Sequence, residues 1–351
     1  MTLNVGRSLR VVSATDLDET RWDEYVDRHP AGRICHRYAW RSIVENEMGH
    51  QCIYLLALDS ESKIRGILPS VNMLSRLFGH FVISMPYLNY GGPLGDSQEI
   101  EEMLLDGLLN LSQNHKTVRY IEYRETKPRN GFPVRTDKVT MVLPLESTHD
   151  AMFSSFKAKL RSQIKRPLRE GVEVKFGRED SFEDFYRVFS TNMRDLGTPP
   201  YGKSFFLKIL EAFPENAYIG VAYKDNKPIG AAFLLGYKDQ LEIPWASTIK
   251  EFNSIGVNML MYWEIIKKAI DQGDAEFDFG RCTKGSGTYK FKLQWGAREV
   301  PFYWNYQLVG EDEIPAINPD NPKYKVFISV WKKLPVMISN FVGPFIVRNI
   351  P

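Results

Sequence analysis

The segment from Ala275 to Arg298 reads AEFDFGRCTKGSGTYKFKLQWGAR. Its first six residues alternate between aromatic and other side chains, which predicts a half-buried strand that ends near Arg281. Two glycines and small hydroxyl residues follow, where a backbone can turn sharply or approach a ligand. Residues 288–295 contain no helix breaker and predict a short helix that ends before Gly296.

A lysine lies between two aromatic residues on this short helix. Lys292 is three residues from Tyr289 and three from Trp295, so helical spacing places the three side chains on one face. Together with Asp278 and Arg281 at the strand end, they form a candidate site. The alternative is a structural strand–loop–helix whose lysine stem covers apolar surface while its ammonium reaches water. The pattern by itself leaves both interpretations open.

Length and composition predict a soluble globular protein. The 351 residues suffice for two domains or one large domain, with 43% hydrophobic and 25% charged residues. A net charge of +2 gives no argument for a nucleic-acid partner. Three scattered cysteines predict no disulfide framework and no metal cluster, and indicate a reducing compartment. Without an apolar run of signal-peptide or transmembrane length, we expect a cytoplasmic location.

The histidines are confined to one part of the chain. All six lie between His29 and His149, so the half that contains Lys292 offers no histidine base. This distribution argues against a Ser-His-Asp or Cys-His site near Lys292 and against a metal held there by histidines. HExxH and GxGxxG motifs are absent from the sequence. We therefore expect no metal in the site.

The second half of the chain repeats the first. CIYLLALDSESKIRGILPSV (52–71) aligns without a gap with NAYIGVAYKDNKPIGAAFLL (216–235), at an offset of 164 residues. The strands around Glu122 and Asp278 align at an offset of 156, and VTMVLPL (139) aligns with YWNYQLV (303) at 164 again. The second copy thus carries eight extra residues, about two helical turns, where GTYKFKLQWG lies. We predict an N-terminal domain (1–145), a catalytic domain (146–315) that alone carries the insert, and a tail (316–351).

FDFGR followed by GSGTYKFKLQWGA resembles the signature of the FemAB-like branch of the GNAT acyltransferase superfamily, and Phe291-Lys292 is its most telling element. The resemblance covers roughly residues 15–310 and implies an α/β fold with mixed α+β sheets in two tandem GNAT-like domains. It also implies transfer of an aminoacyl group from aminoacyl-tRNA to an amine of a cell-wall or envelope precursor. Lys292 would then stabilise the oxyanion. The implied substrate contacts in this segment are Asp278, Arg281, Tyr289, Phe291 and Trp295.

A basic row precedes the second copy. Residues 151–166 have an apolar stripe at helical spacing, and Lys157, Arg161 and Lys165 are spaced by four on another face. The row favours a phosphate-binding surface, and a solvated helix face is the alternative. FemAB-like proteins have a segment comparable to KLRSQIKRPLREG, which implies Arg161 and Lys165 as contacts to an anionic substrate. We expect Pro167 to end this helix.

Two loops bear on the substrates. NMRDLGTPPY (192–201) is rich in Gly and Pro, which makes Asn192 and Tyr201 candidate substrate contacts or parts of a simple connection. In an acetyl-CoA-dependent GNAT, the segment at 253–258 carries a glycine-containing loop that holds the pyrophosphate. Here NSIGVN keeps only the middle glycine, Gly256. We therefore expect no bound cofactor and an aminoacyl-tRNA donor, with acetyl-CoA as the alternative.

The tail, residues 322–351, combines apolar and basic residues. Val326, Phe327, Val330, Trp331 and Leu334 form an apolar helical face flanked by lysines, and Pro335 and Pro344 are expected to interrupt it. This pattern predicts that the tail forms a strap over the second domain. The alternative is a peripheral contact with the anionic inner face of a membrane. The tail is similar to those of FemAB-like proteins associated with exopolysaccharide and PEP-CTERM sorting loci.

A CoA-dependent N-acyltransferase and a non-catalytic binder of anionic glycan or RNA remain alternative functions.

Overall fold

The computed structural model describes residues 3–5, 9–75, 78–115, 117–310, 313–314 and 322–350, with backbone only at 3–5 and 322–325. The chain forms two compact units. Unit 1 contains Met1–Asp137, Pro301–Ala316 and Arg348–Pro351, and unit 2 contains Lys138–Val300 and Ile317–Val347. The part of the predicted tail before Pro322 lies outside the described residues.

Strands in chain order are β1 (Leu3–Val5), β2 (Leu9–Ser13), β3 (Gln51–Leu58), β4 (Ile64–Ser75), β5 (Gly79–Ile83), β6 (Leu94–Gly95), β7 (Val118–Glu125), β8 (Val134–Arg135), β9 (Lys138–Pro144), β10 (Glu173–Gly177), β11 (Ala217–Lys224), β12 (Lys227–Tyr237), β13 (Gln240–Thr248), β14 (Glu276–Thr283), β15 (Arg298–Pro301) and β16 (Tyr303–Leu308). Helices are α1 (Glu19–Arg28), α2 (Trp40–Ile43), α3 (Gln98–Gln113), α4 (His149–Ser155), α5 (Ala158–Arg169), α6 (Phe182–Leu196), α7 (Lys203–Ala212), α8 (Val257–Gln272), α9 (Gly287–Leu293), α10 (Pro322–Trp331) and α11 (Val336–Val347).

Each unit is built on its own mixed sheet. In unit 1 the strand order is β1-β2-β3-β4-β5-β7-β16-β8, and β6 pairs with β4. In unit 2 the order is β10-β11-β12-β13-β14-β9-β15. Each sheet contains one parallel pair at the equivalent position of the repeat, β5 with β7 in unit 1 and β13 with β14 in unit 2. The prediction of a repeated mixed α/β architecture is confirmed.

The repeat extends to the hairpins that the sequence alignment brought together. β3 pairs with β4 and β11 with β12, both antiparallel, and both ladders have a bulge near the turn, after Ala57 and after Ala222. Gly66 is opposite Ala57, and Gly230 is opposite Ala222. The second turn uses Asp225 and Asn226 at positive φ, as a two-residue hairpin requires.

The closing strands are exchanged between the two repeats, which the sequence alignment did not predict. β9 follows β7 in the chain but pairs with β14 in the sheet of unit 2. β16 follows β15 but pairs with β7 in the sheet of unit 1. β9 (VTMVLPL) and β16 (YWNYQLV) therefore occupy equivalent places in the two sheets, but each belongs to the sheet of the other repeat. The compact units consequently divide at other residues than 145 and 315, and those domain limits stay a prediction.

Helices fill the faces of each sheet with the apolar residues that their periodicity indicated. In unit 2, α5 and α8 pack with β12 and β14 in one core. The predicted helix over residues 151–166 is instead two helices, α4 and α5, with a break at Phe156 and Lys157. Pro167 lies inside the last turn of α5 and Pro344 inside α11, so neither proline interrupts its helix as expected. Along the described ranges, no helix has both the length and the apolar character needed to cross a membrane.

Candidate active site around Lys292

The site begins with a bulge in β14. Asp278 is opposite Val142 and Arg281 is opposite Thr140, so two residues of β14 face a single residue of β9. Gly280 adopts φ 72°, a left-handed conformation that glycine accepts without the Cβ clash of other residues. The ladder with β13 ends nearby, at the pair formed by Glu242 and Asp278. The bulge thus lies at the edge where β14 leaves its parallel neighbour.

A buried carboxylate holds this bulge in place. The side chain of Asp278 is fully buried, and its Oδ1 accepts hydrogen bonds from the Gly280 amide (2.8 Å) and from the Thr140 hydroxyl. Sequence reasoning expected Asp278 to position substrate. Burial does not fit a direct substrate contact, because both hydrogen bonds of Asp278 are made within the protein. Asp278 positions the backbone of the bulge instead. Arg281 is exposed at the end of the bulge and stays a candidate substrate contact.

The ammonium of Lys292 lies over this bulge. Lys292 extends from α9, which begins after Ser286, whose Oγ accepts a hydrogen bond from the Tyr289 amide. Its Nζ donates to the carbonyl oxygens of Gly280 (2.7 Å) and Arg281 (3.1 Å), and only 5% of the residue is exposed. Lys292 therefore has two backbone partners within the protein. Since an ammonium has three N–H donors, one remains beyond these two bonds in the described part of the chain.

Burial also changes the acid–base chemistry of this lysine. Loss of hydration on burial lowers the pKa of the Lys292 ammonium, while the nearby Cys282 and Asp278 act in the opposite direction. The same burial raises the pKa of the Cys282 thiol. The site therefore contains a cation in a poorly hydrated place, which interacts strongly with any negative charge that develops beside it.

The two aromatic residues flanking Lys292 have different environments. Trp295 is buried in the core of unit 2, where its ring packs edge-on against Phe156 at 5.4 Å. A stacking role for Trp295 on a substrate does not fit this burial. Its indole Nε1 has no hydrogen-bond partner among the described residues. Phe291 is half-buried, and its ring meets that of Tyr262 at 5.1 Å.

Tyr289 faces a polar rim. Its hydroxyl donates to Glu299 Oε2 at 2.7 Å, and Lys284 Nζ donates to Glu299 Oε1 at 2.7 Å. These two hydrogen bonds lower the pKa of the Glu299 carboxyl. Tyr289 is half-buried, so its ring edge stays available as a candidate substrate contact.

The basic helix α5 has an exposed and a structural part. Lys157 and Lys165 are exposed, and Lys165 Nζ lies 5.4 Å from the ring centroid of Phe153. Arg161, in contrast, donates to the carbonyl oxygens of Ser154 (3.1 Å) and Phe156 (2.9 Å). It closes the break between α4 and α5, so the expectation of a uniformly exposed row is wrong at Arg161.

The two candidates near the predicted Gly/Pro loop lie in different elements. Asn192 lies on α6 rather than in the loop, and its Nδ2 donates to the Thr248 carbonyl at 3.1 Å. Tyr201 lies in the loop, with its ring 4.9 Å from that of Phe205 and 6.0 Å from that of Trp245. Thr248 in turn donates to Asn253 Oδ1, and the residues Lys250–Ile255 form a short 3-10 helix before α8. In the described ranges no cluster of His, Cys, Asp and Glu is arranged to hold a metal ion.

Sequence reasoning missed two residues of the site. Thr140 contacts Asp278 across 138 residues of sequence, and nothing near Thr140 in the chain indicates this contact. Gly280 was treated as one residue of an alternating strand. A glycine that follows the aromatic residues of a strand and precedes its charged end is a signal for a bulge.

Comparison with known protein families gives a match that includes the segment around Lys292. Residues 154–293 match the family model described as "Acetyltransferase (GNAT) domain". A curated relative, the UDP-N-acetylmuramoylpentapeptide-lysine N(6)-alanyltransferase of Weissella viridescens, is 23% identical over 288 residues, which cover 74% of this chain and 83% of the relative.

Solved structures agree on the architecture. The crystal structure of FemX superposes with a TM-score of 0.62 at 13% identity and covers 91% of this chain and 99% of its own. A tandem GNAT protein from the clavulanic acid biosynthesis pathway superposes with a TM-score of 0.53 at 8% identity, over 87% of this chain and 100% of its own. At such identities the likeness shows the fold alone, and that fold is a tandem of GNAT domains.

Proposed function

Since the chain is a FemAB-like member of the GNAT acyltransferase superfamily and a transferase, we propose that it transfers an aminoacyl group from aminoacyl-tRNA to an amine of a cell-wall or envelope precursor. The alanyltransferase relative, whose name gives a lysine amine of a peptidoglycan precursor as acceptor, supports this direction. A tRNA donor places the reaction in the cytoplasm and needs no bound cofactor.

The reaction needs little more than positioning and charge. The acceptor amine, in its neutral form, attacks the ester carbonyl of the aminoacyl-tRNA and forms a C–N bond. The tetrahedral intermediate carries a negative oxygen until the C–O bond to the ribose breaks. The departing ribose hydroxyl takes up the proton that the amine loses. The protein's main task is therefore to stabilise the oxyanion.

Lys292 carries the proposal. Two of its N–H groups are fixed by the carbonyls of Gly280 and Arg281, which sets the direction of the third. A donor held in this way costs no reorganisation when the oxyanion forms, and low hydration strengthens its effect. Arg281, Tyr289 and Tyr201 are the remaining candidate substrate contacts in unit 2. Exposed Lys157 and Lys165 on α5 would contact the phosphates of the donor.

The direct test is a transfer assay. The protein is incubated with tRNA charged with radiolabelled alanine and with the UDP-linked muramoyl pentapeptide as acceptor. Label in an alkali-stable amide on the acceptor is the expected result. A set of other aminoacyl-tRNAs and precursor amines extends the search, and failure of every donor–acceptor pair, with folded protein, would reject tRNA-dependent transfer.

A CoA-dependent N-acyltransferase is the second candidate, favoured by the acetyltransferase description of the matching family model. Titration calorimetry with acetyl-CoA distinguishes the two. Binding in the micromolar range, with acetyl transfer to an amine, would establish CoA as donor. We expect neither, because Gly256 alone matches the pyrophosphate loop and Asn253 is bonded to Thr248.

A further inference from the structure

The last helix of unit 2 carries its small residues inward and its large apolar residues outward. Ser339, Gly343 and Val347, spaced by four, are buried. Met337, Phe341 and Phe345, also spaced by four, are 80%, 75% and 56% exposed. An ordinary surface helix has the opposite arrangement, because burial of large apolar side chains stabilises the fold.

The inward face holds α11 firmly on the protein. A Cβ atom on Gly343 would lie 2.5 Å from Pro200, so only glycine permits this close approach. Asn340 Nδ2 donates to Ser190 Oγ at 3.3 Å, and Arg194 donates to the Leu334 carbonyl at 2.8 Å. The strap expected from the sequence is thus present, but it leaves the bulky side chains of α11 in solvent.

The preceding helix adds to the exposed apolar surface. Trp331 is buried, whereas Val326, Phe327 and Val330 on α10 are exposed. The predicted apolar face of α10 is therefore divided between the buried Trp331 and exposed residues, and the half-buried Ile328 lies beside Gly197. We call the exposed large residues of α10 and α11 the tail face: Val326, Phe327, Val330, Met337, Ile338, Phe341 and Phe345. Solvent-exposed apolar groups of this kind mark interaction sites.

Charge indicates what covers the tail face. From Asn321 to Val347 the sequence has four lysines, Lys323, Lys325, Lys332 and Lys333, and no Asp or Glu. Lys332 and Lys333 are exposed in the turn between α10 and α11. Phenylalanine, methionine and isoleucine side chains fit the acyl boundary of a lipid layer. Lysines in a segment without acidic residues fit its anionic headgroups.

We propose that the tail face is a peripheral docking surface for an anionic membrane, in which the aromatic side chains of α11 enter the acyl boundary and the lysines contact the headgroups. Neither helix needs to span the layer; α11 lies in its plane and stays attached to unit 2 through Ser339 and Gly343. This inference does not depend on the proposed aminoacyl transfer, because vesicle binding requires no substrate.

The experiment measures co-sedimentation of the full chain with vesicles of phosphatidylglycerol and phosphatidylcholine in equal parts, and with phosphatidylcholine alone. We expect binding to the anionic vesicles, and at least tenfold weaker binding for Phe341→Ser with Phe345→Ser. Lys332→Ala with Lys333→Ala should weaken binding about fivefold per lysine and reduce its salt dependence. The matched control, Leu17→Ser with Leu74→Ser, changes two exposed leucines of unit 1 and should bind like the unaltered chain.

Thermal unfolding of each variant accompanies the binding series. The serine variants should keep the melting temperature, because both phenylalanines are solvent-exposed in the structure. Absence of binding to anionic vesicles, or equal binding by the Phe341/Phe345 variant, would overturn the proposal. A concentration-dependent dimer that these serines abolish, without vesicle binding, would also overturn it and identify a second copy as the occupant.

Discussion

The Nζ atom of Lys292 lies 2.7 Å from the carbonyl oxygen of Gly280, the glycine that forms the bulge of β14. The ammonium is therefore positioned by backbone rather than by an acidic side chain. The carbonyl dipoles orient the cation, and the nearby buried Asp278 carboxylate favours its charged form. This relationship connects the bulge, the short helix α9 and the proposed chemistry.

Replacement of Lys292 by methionine tests the role of the cation. We expect Lys292→Met to lower turnover by ~10²–10³, the usual loss for one oxyanion donor, with a much smaller change in substrate affinity. The carbonyls of Gly280 and Arg281 lose their hydrogen-bond partner, so the free energy of unfolding should also fall by about 1–3 kcal/mol.

Lys290→Met is the matched control, because Lys290 is exposed on the same helix. Both turnover, in the aminoacyl-transfer assay, and melting temperature should stay near those of the unaltered chain. Near-normal turnover of Lys292→Met would instead show that Lys292 is a structural tie.

The bulge can be tested with two glycines of similar conformation. Gly280 has φ 72° and Gly273 has φ 82°, so alanine at either place costs about 1–2 kcal/mol of backbone strain. Of these two glycines, Gly280 alone provides a carbonyl to Lys292, and a Cβ on Gly273 meets no atom within 4 Å. We expect similar losses in chemical denaturation but a loss of turnover for Gly280→Ala alone. Equal turnover in the two variants would contradict a role for the bulge.

The exposed lysines of α5 should govern the salt dependence of donor binding. We expect Lys157→Ala with Lys165→Ala to weaken tRNA binding and to reduce the slope of log K against log salt by roughly one per lysine. Lys227→Ala with Lys250→Ala, two exposed lysines on other elements, serves as control. Arg161→Ala should chiefly lower the melting temperature, because Arg161 holds two carbonyls between α4 and α5. An unchanged slope would leave α5 as a solvated face.

Asp274 should make the stability of unit 2 dependent on pH. Burial raises the pKa of its carboxyl to about 6, with a further contribution from Asp239. The folded state thus binds the proton of Asp274 more tightly than the unfolded state, so the contribution of Asp274 to stability is most favourable below about pH 4 and falls as the pH rises through 6. Asp274→Asn should raise the free energy of unfolding at pH 8 by about 1 kcal/mol, a value reduced for partial exposure. Denaturation at pH 4 should show no advantage, and an equal gain at both pH values would contradict the assignment.

Local patterns in the sequence sufficed for much of the fold. The alignment of residues 52–71 with 216–235 matched the segments that form the hairpins β3–β4 and β11–β12, because alternation and turn residues act over a few neighbours. The short helix around Lys292 was predicted for the same reason. The eight-residue difference between the repeats identified the segment that contains α9.

Contacts between distant residues were not accessible in this way. Asn192 was placed in a loop although it continues α6, because helix ends depend on the tertiary partner, here the Thr248 carbonyl. Trp295 was expected at a substrate and lies in the core, because the two environments require the same amphipathic aromatic.

By itself, the sequence determined the repeated order of strands and helices and the lysine on the extra helix of the second copy, since both follow from short-range periodicity. Tertiary structure alone decided that β9 and β16 exchange sheets, that Thr140 meets Asp278, and that the large side chains of α11 point outward. Helical periodicity defines two faces but not which face is buried; the close approach of Gly343 to Pro200 settles it, because backbone packing at that distance admits no side chain.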